Sequence, residues 1–356
     1  MKQLLNFLLV LFALNSSAQN STLGWAASFH YGTTLAHNSK IAAIKSNNPI
    51  ALQFDFYKQK INQKNYDICS CYPQSGITLS LNDYGNSNVL GQGLHLNYYV
   101  EPQFKISKNN YFLFRATAGF AFMNKPFDIN DNPNNFAYSL PVSGFVSLGP
   151  GWKYFISDRT SLFFILPFNH VSNGGIKDPN LGLNFPSVHF GISQQKIAIK
   201  RNFKKSENIE LNKSNRFYAS AFFSSRTVQN GEKKRFLIYG IEASYVRKLA
   251  QLISFNSALE FYKDDALQER YRRETGATEE RFRAGAMAGI QFDLGKIELY
   301  HRLGVYVYDP GLYNGLIFHR HGIQYLFNNK ISAGVEVKAH KEVANFLDFR
   351  IKIRLN

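Results

Sequence analysis

Apolar and polar residues alternate in short runs along most of the chain, and turn residues separate the runs. In Leu94-His95-Leu96-Asn97-Tyr98-Tyr99-Val100 the apolar side chains recur at nearly every second place, the period at which extended residues share a face. Tyr111 to Phe122 is another such run, aromatic and dotted with Gly and Ala, and it follows the turn residues Lys108-Asn109-Asn110. Read this way, the first half holds strands near 22–32, 50–58, 76–83, 90–105, 109–122, 144–156, 160–171 and 187–199. Eight more follow near 215–226, 235–248, 252–263, 281–293, 296–307, 318–326, 330–339 and 345–355, about sixteen in all. Turns such as Ser157-Asp158-Arg159 are short, whereas Asn124 to Asn135 and Gly174 to Pro186 are long. Short turns at one rim and long loops at the other are the habit of membrane barrels. The expected class is therefore all-β, an antiparallel transmembrane β-barrel, built as two tandem eight-stranded barrels or as one larger barrel.

Two stretches break the alternation. Residues 201–214, RNFKKSENIELNKS, are charged without an apolar period and read as a linker between a barrel over 19–200 and a second barrel-like repeat over 215–356. Lys263 to Arg281, KDDALQERYRRETGATEER, reads as a solvated loop with at most one helical turn. The halves echo each other: Gly151-Trp152-Lys153-Tyr154-Phe155-Ile156 to Ser161 resembles Gly322-Ile323-Gln324-Tyr325-Leu326-Phe327 to Ser332, and each copy runs on to a strand ending near a histidine, His170 or His340. The second copy has Glu342 where the first has Ser172.

Composition sharpens the reading at three points. Met1-Lys2, the apolar run Leu4 to Leu14 and Ser16-Ser17-Ala18 form a secretory signal over 1–18, so the chain is expected outside the cytoplasm. The abundance of Phe (32), Tyr (20) and Gly (25) suits strands with one apolar face, and no later run reaches the roughly 18 apolar residues of a membrane helix. A net charge of +16 in an exported chain points to the phosphates of membrane lipids as anionic partners rather than to nucleic acid, or simply to a basic solvated surface. Cys69 and Cys71 would close a tight Cys-x-Cys ring, which argues against a bridge, and two thiols alone cannot make a zinc site.

The chemistry-bearing stretch is Leu162 to Asn184, LFFILPFNHVSNGGIKDPNLGLN. His170 and Ser172 lie two apart and so share a face with Leu162, Phe164, Leu166 and Phe168. In a soluble core that face would make both polar groups expensive and unreachable; facing lipid, they are open to a lipid ester. A serine becomes a nucleophile when a base takes its proton and a third group orients the base. Asn173 and Gly174 follow at the strand end, where their N–H groups and the Asn173 amide could hold an oxyanion. His-x-Ser alone is a weak signal, and a structural role competes with a catalytic one.

His170-Val171-Ser172-Asn173-Gly174-Gly175, with Lys177-Asp178-Pro179-Asn180 and Gly182, resembles the signature of the lipid A 3-O-deacylases, the acyloxyacyl hydrolase-like outer-membrane barrels, in the longer form of Bacteroidetes-type bacteria. Tyr72-Pro73, Gly76, Asp83-Tyr84-Gly85-Asn86, Leu90-Gly91 and Glu101-Pro102 add to the resemblance, which covers about 50–200 well and the rest loosely. It implies an outer-membrane serine esterase that removes the 3-O-linked acyl chain of lipid A in lipopolysaccharide, with Ser172 as nucleophile, His170 as base and no cofactor or metal. The family's acid, a Glu, falls on Asn184, which can orient His170 without adding charge; Asp178 is an alternative orienting group. A non-catalytic barrel with a structural, adhesion or transport role is the competing reading, and a phospholipase using the same residues is a third. Of the other polar residues, His189 reads as lumenal or interfacial and Asp83 and Asp309 as turn residues. His319-Arg320-His321 lacks a third ligand for a metal. Tyr98, Tyr99, Tyr111 and Phe112 read as interfacial girdle.

Overall fold

A computed structural model describes residues 21–198, 201–204, 206, 214–278, 281–309, 315–341 and 343–356. The signal segment, most of the linker and Glu342 lie outside the described residues.

The first half is a barrel of ten strands in eight staves: β1 (Ser21–Gly32), β2 (Ile50–Lys60), β3 (Gln74–Asp83), β4 (Gln92–Glu101), β5 (Gln103–Lys105), β6 (Asn110–Met123), β7 (Val142–Phe155), β8 (Thr160–Ile165), β9 (Phe168–Ser172) and β10 (Leu183–Gln195). β4 and β5 both pair with β6, and β8 and β9 both pair with β7 and β10, so each couple is one stave. The breaks fall at Pro102 and Pro167, where no N–H is available to continue the ladder. β1 pairs with β10 and closes the ring.

The second half closes independently from eight strands: β11 (Asn215–Arg226), β12 (Phe236–Lys248), β13 (Ile253–Asp264), β14 (Phe282–Leu294), β15 (Ile297–Tyr308), β16 (Ile317–Leu326), β17 (Ile331–His340) and β18 (Val343–Arg354). There are thus two tandem barrels and not one larger one, and neither leaves a free sheet edge. The internal repeat maps stave to stave, since the echoed segments are β7 running to β8 and β16 running to β17, the sixth and seventh staves of each barrel.

Strict alternation divides each wall. Outward residues such as Leu52, Ile77, Leu79, Phe120 and Phe190 on the first barrel, and Phe223, Ile241, Leu259 and Ile351 on the second, form an exposed apolar surface that only hydrocarbon chains can cover favourably. Inward residues are polar and pair among themselves. Arg115 bridges Asp55 (2.8 Å) and Glu101 (2.6 Å), and Lys153 joins Glu101 at 2.9 Å. The second lumen holds Arg302, Arg320, Lys338 and Arg350 against Glu242, Glu260, Glu336 and Asp348. In these networks six cations face six carboxylates, so the chain's basic excess lies outside them.

Several local expectations are corrected. Cys69 and Cys71 are disulfide-bonded: the helix Gln63–Cys69 ends in a left-handed Ser70 (φ 53°), which turns the chain and sets the Cα atoms 5.0 Å apart. The charged stretch after β13 is a three-turn helix, Asp265–Thr275, capped by the Asp264 side chain and anchored by buried Ala266 and Leu267. Tyr98 and Phe112 face outward, but Tyr99 and Tyr111 point into the lumen, as the parity of neighbouring residues in a strand requires. Asp309 is buried 3.1 Å from Arg283 rather than being a plain turn residue.

Candidate active site

β9 carries the site and ends at it. His170 sits opposite Val146 of β7 and Asn184 of β10, and Ser172 opposite Gly144 of β7. Phe168 and His170 project to the outer wall, while Asn169 and Val171 fill the lumen side. Register makes His170 and Asn184 neighbours, and His170 Nδ1 lies 2.6 Å from Asn184 Oδ1. The other end of the Asn184 amide, Nδ2, donates to His37 Nδ1 at 3.2 Å, and His37 Nε2 donates to the Leu181 carbonyl at 3.0 Å. That chain fixes which way the amide points: Asn184 Oδ1 accepts from His170 Nδ1–H, which leaves Nε2 as the basic nitrogen. His37 gave no sequence signal because it is 147 residues from Asn184.

Ser172 is buried, and its Oγ accepts from Gly174 N (2.9 Å) and from Asn180 Nδ2 (3.0 Å). Those two donors turn the hydroxyl oxygen toward the loop, and Ser172 and His170 are not hydrogen-bonded to each other in this structure. Sharing a strand face thus brings the two close without joining them. Such contacts are often long before substrate binds.

Asn173 does not supply the oxyanion donors expected of it. Its N–H donates to Asn180 Oδ1 (2.9 Å), and its side-chain amide donates to Ser139 Oγ (3.1 Å) and to the Lys177 carbonyl (2.8 Å). Those bonds make Asn173 the brace of the loop. The donors that reach Ser172 are the Gly174 N–H and the Asn180 amide, and Asn180 is the residue the strand-based reading missed. Nor does Asp178 orient His170, because it pairs with Arg270 of the second barrel at 3.0 Å.

That ion pair is one of several contacts by which the second barrel holds the loop after β9. Asp178 N donates to Thr227 Oγ1 at 3.0 Å. Gly174 (φ +67°) and Gly175 (φ +76°) lie against β18: a Cβ on Gly174 would meet Leu347 Cβ at 2.7 Å, and one on Gly175 would meet the Asn345 carbonyl oxygen at 2.5 Å. Both positions therefore demand glycine on two counts, backbone conformation and space.

Two family descriptions match the chain in tandem. Residues 56–193 match Lipid A 3-O-deacylase (PagL), and residues 215–356 match Acyloxyacyl hydrolase, C-terminal domain. The chain carries a lipid A 3-O-deacylase (PagL) domain followed by an acyloxyacyl hydrolase C-terminal domain. No curated protein matches this chain. Among solved structures it is similar to a de novo designed transmembrane β-barrel (14% identity, TM-score 0.25, 49% of this chain and 94% of that one). It is also similar to porin variants of Rhodopseudomonas blastica, for example one with 9% identity and a TM-score of 0.23 over 94% of this chain and 100% of that one.

The chain keeps its remaining histidines elsewhere. His189 is lumenal, stacked on His30 with ring centroids 3.3 Å apart. His340 ends the seventh stave of its barrel as His170 does, and it too meets an asparagine, Asn345 Oδ1, at 2.5 Å from Nδ1. It is buried, however, and stacks on lumenal Tyr306, so it does not face outward as His170 does. Asp83 accepts from Gly85 N at 2.8 Å as a turn residue. His319 and His321 do have a third histidine beside them, His301, which comes from the neighbouring strand β15.

Gly175→Ala is expected to lower deacylation of lipid A about 100-fold while the protein still folds. The added methyl must displace either the loop or the Asn345 carbonyl, and a displacement near 1 Å at a reacting group has that size of effect. The check is the rate of hydroxy-fatty acid release, beside the shift in gel mobility that a folded barrel shows on heating. An unchanged rate would mean that the contact with β18 does not hold the loop in its working position.

Proposed function

We propose that this chain is an outer-membrane serine esterase that removes the 3-O-linked acyl chain of lipid A, drawing its substrate sideways from the lipid that bathes the outer wall. The observation that carries this reading is the His170 Nδ1–Asn184 Oδ1 pair on the outer wall, with Ser172 two residues further along the same strand and flanked by two hydrogen-bond donors. The lipid A 3-O-deacylase domain supplies the substrate class.

In this mechanism Ser172 Oγ attacks the ester carbonyl as its proton passes to His170 Nε2. Gly174 N–H and the Asn180 amide stabilise the resulting oxyanion. The C–O bond to the sugar breaks, the sugar 3-oxygen takes the proton from His170, and the acyl group stays on Ser172. Water, deprotonated by His170, then releases the hydroxy-fatty acid and restores the serine. Asn184 fixes the imidazole tautomer throughout, but as a neutral amide it gives the imidazolium no opposing charge.

The test is mass spectrometry of lipid A carrying an intact 3-linked ester after incubation with the detergent-purified protein. Loss of one hydroxyacyl group is the expected result, with glycerophospholipid left intact. An unchanged profile would leave a non-catalytic barrel, and release from glycerophospholipid would make it a phospholipase.

Asn184→Asp is expected to raise kcat by about 10- to 100-fold with KM little changed. A carboxylate at that place opposes the charge that His170 acquires in the transition state, and the reverse exchange in a serine triad is among the more damaging single substitutions known. The gain is held below the full triad effect because the new carboxylate also faces His37 Nδ1, which must then carry a proton. An unchanged kcat would show that orientation alone is what His170 draws from this position.

A further inference from the structure

The outer wall of the second barrel carries three imidazoles where lipid-facing side chains are expected. His301 on β15 stands directly opposite His321 on β16, and His319, two residues before His321, stands opposite Leu303. By strand parity all three project outward, among the exposed apolar side chains Leu303, Val305 and Ile317, while Arg302 and Arg320 between them point into the lumen. His301 Nδ1 and His321 Nδ1 are 3.1 Å apart, and one nitrogen from each of the three rings lies within 4.8 Å of the others.

Hydrocarbon offers no hydrogen-bond partner to an imidazole. Polar side chains at this kind of position are therefore expensive unless something else engages them. The contact between His301 and His321 uses one proton and one lone pair; the remaining ring nitrogens of the trio need another partner. Nitrogens around a tetrahedral zinc ion at about 2.0–2.1 Å stand roughly 3.3 Å from one another, so the observed cluster reaches that geometry by small rotations of the rings. Neutral imidazoles favour zinc, copper and nickel over the hard cations that oxygen ligands take.

We propose that His301, His319 and His321 form a three-histidine site for a divalent transition-metal ion on the outer wall of the second barrel. Three protein ligands leave one coordination position open. The site stands independently of the esterase reading, since it needs neither Ser172 nor a turnover.

The experiment is a titration of the full-length, tag-free protein in detergent with Co2+, followed by visible absorption and then by competition with Zn2+. One ion per chain is expected, with the intense bands of a four- or five-coordinate cobalt site that Zn2+ removes. Each of His301→Leu, His319→Leu and His321→Leu is expected to weaken binding by more than the roughly 10- to 100-fold that follows loss of a mere outer-shell partner, whereas His170→Ala leaves it intact. Leucine suits a lipid-facing position, and heat-modifiable gel mobility verifies that each variant is folded. Binding that is absent in the native protein, or equal in the native protein and the three leucine variants, would overturn the proposal. So would loss of binding in His170→Ala, which would place the ion on other ligands.

Discussion

Ser172→Ala is expected to reduce release of the 3-linked hydroxy-fatty acid by at least about 1,000-fold, to the level set by substrate binding and the remaining donors. Removing the nucleophile of a serine hydrolase leaves only that residual catalysis. The substitution also deprives Gly174 N–H and the Asn180 amide of their common acceptor, and a buried donor left unpaired costs about 1–3 kcal/mol. Loss of activity is therefore informative only beside a measurement of folding. The folded fraction from heat-modifiable mobility is expected to stay near that of the native protein, since the loop is also held by Asn173 and by the Arg270–Asp178 pair. His170→Ala provides an independent arm, because it removes the base without touching the Ser172 bonds. If either variant, once folded, kept more than about a tenth of the native rate, the assignment of base and nucleophile would be wrong.

Arg320→Leu is expected to produce the largest loss of stability of any single substitution in the second barrel, at least about 3–5 kcal/mol in urea unfolding from detergent or lipid. Arg320 is fully buried and serves three carboxylates: Glu260 at 2.5 Å, Asp348 at 2.5 Å and Glu336 at 3.2 Å. Lys338 and Arg350 still reach Glu260 and Asp348, but the lumen is left with more negative than positive groups and no solvent to screen them. A surface pair offers the contrast. Arg272, half exposed beside Glu269 at 2.7 Å, is expected to leave the unfolding midpoint nearly unchanged when replaced by alanine, because solvent screens such a pair. A loss below 1 kcal/mol for Arg320→Leu would show that water or protonation compensates the lumenal carboxylates.

Much of the fold was legible because a strand writes its two faces into alternate residues. The period in Leu94 to Val100 or in Tyr111 to Phe122 needs no tertiary information. Helices were harder to read: Asp265–Thr275 carries little apolar period, and its stability comes from the Asp264 cap and from a footing on buried Ala266 and Leu267. The Cys69–Cys71 bridge depended on a single left-handed residue that spacing cannot reveal.

The candidate site divides in the same way. Sequence alone determined that His170 and Ser172 share a strand face, and the family resemblance pointed to Asn184 as the partner of His170. Both involve short separations along the chain. Tertiary structure decided everything that depends on which strands and loops become neighbours. It placed His37 behind Asn184, turned Ser172 toward Asn180, committed Asn173 to bracing the loop, and set that loop against β18 of a second barrel. It also brought His301 to His319 and His321. The physical reason is that periodicity encodes the direction of a side chain relative to its own backbone, whereas a hydrogen bond or a ligand cluster needs the distance between two backbones. In a barrel that distance is fixed only when register and closure are complete.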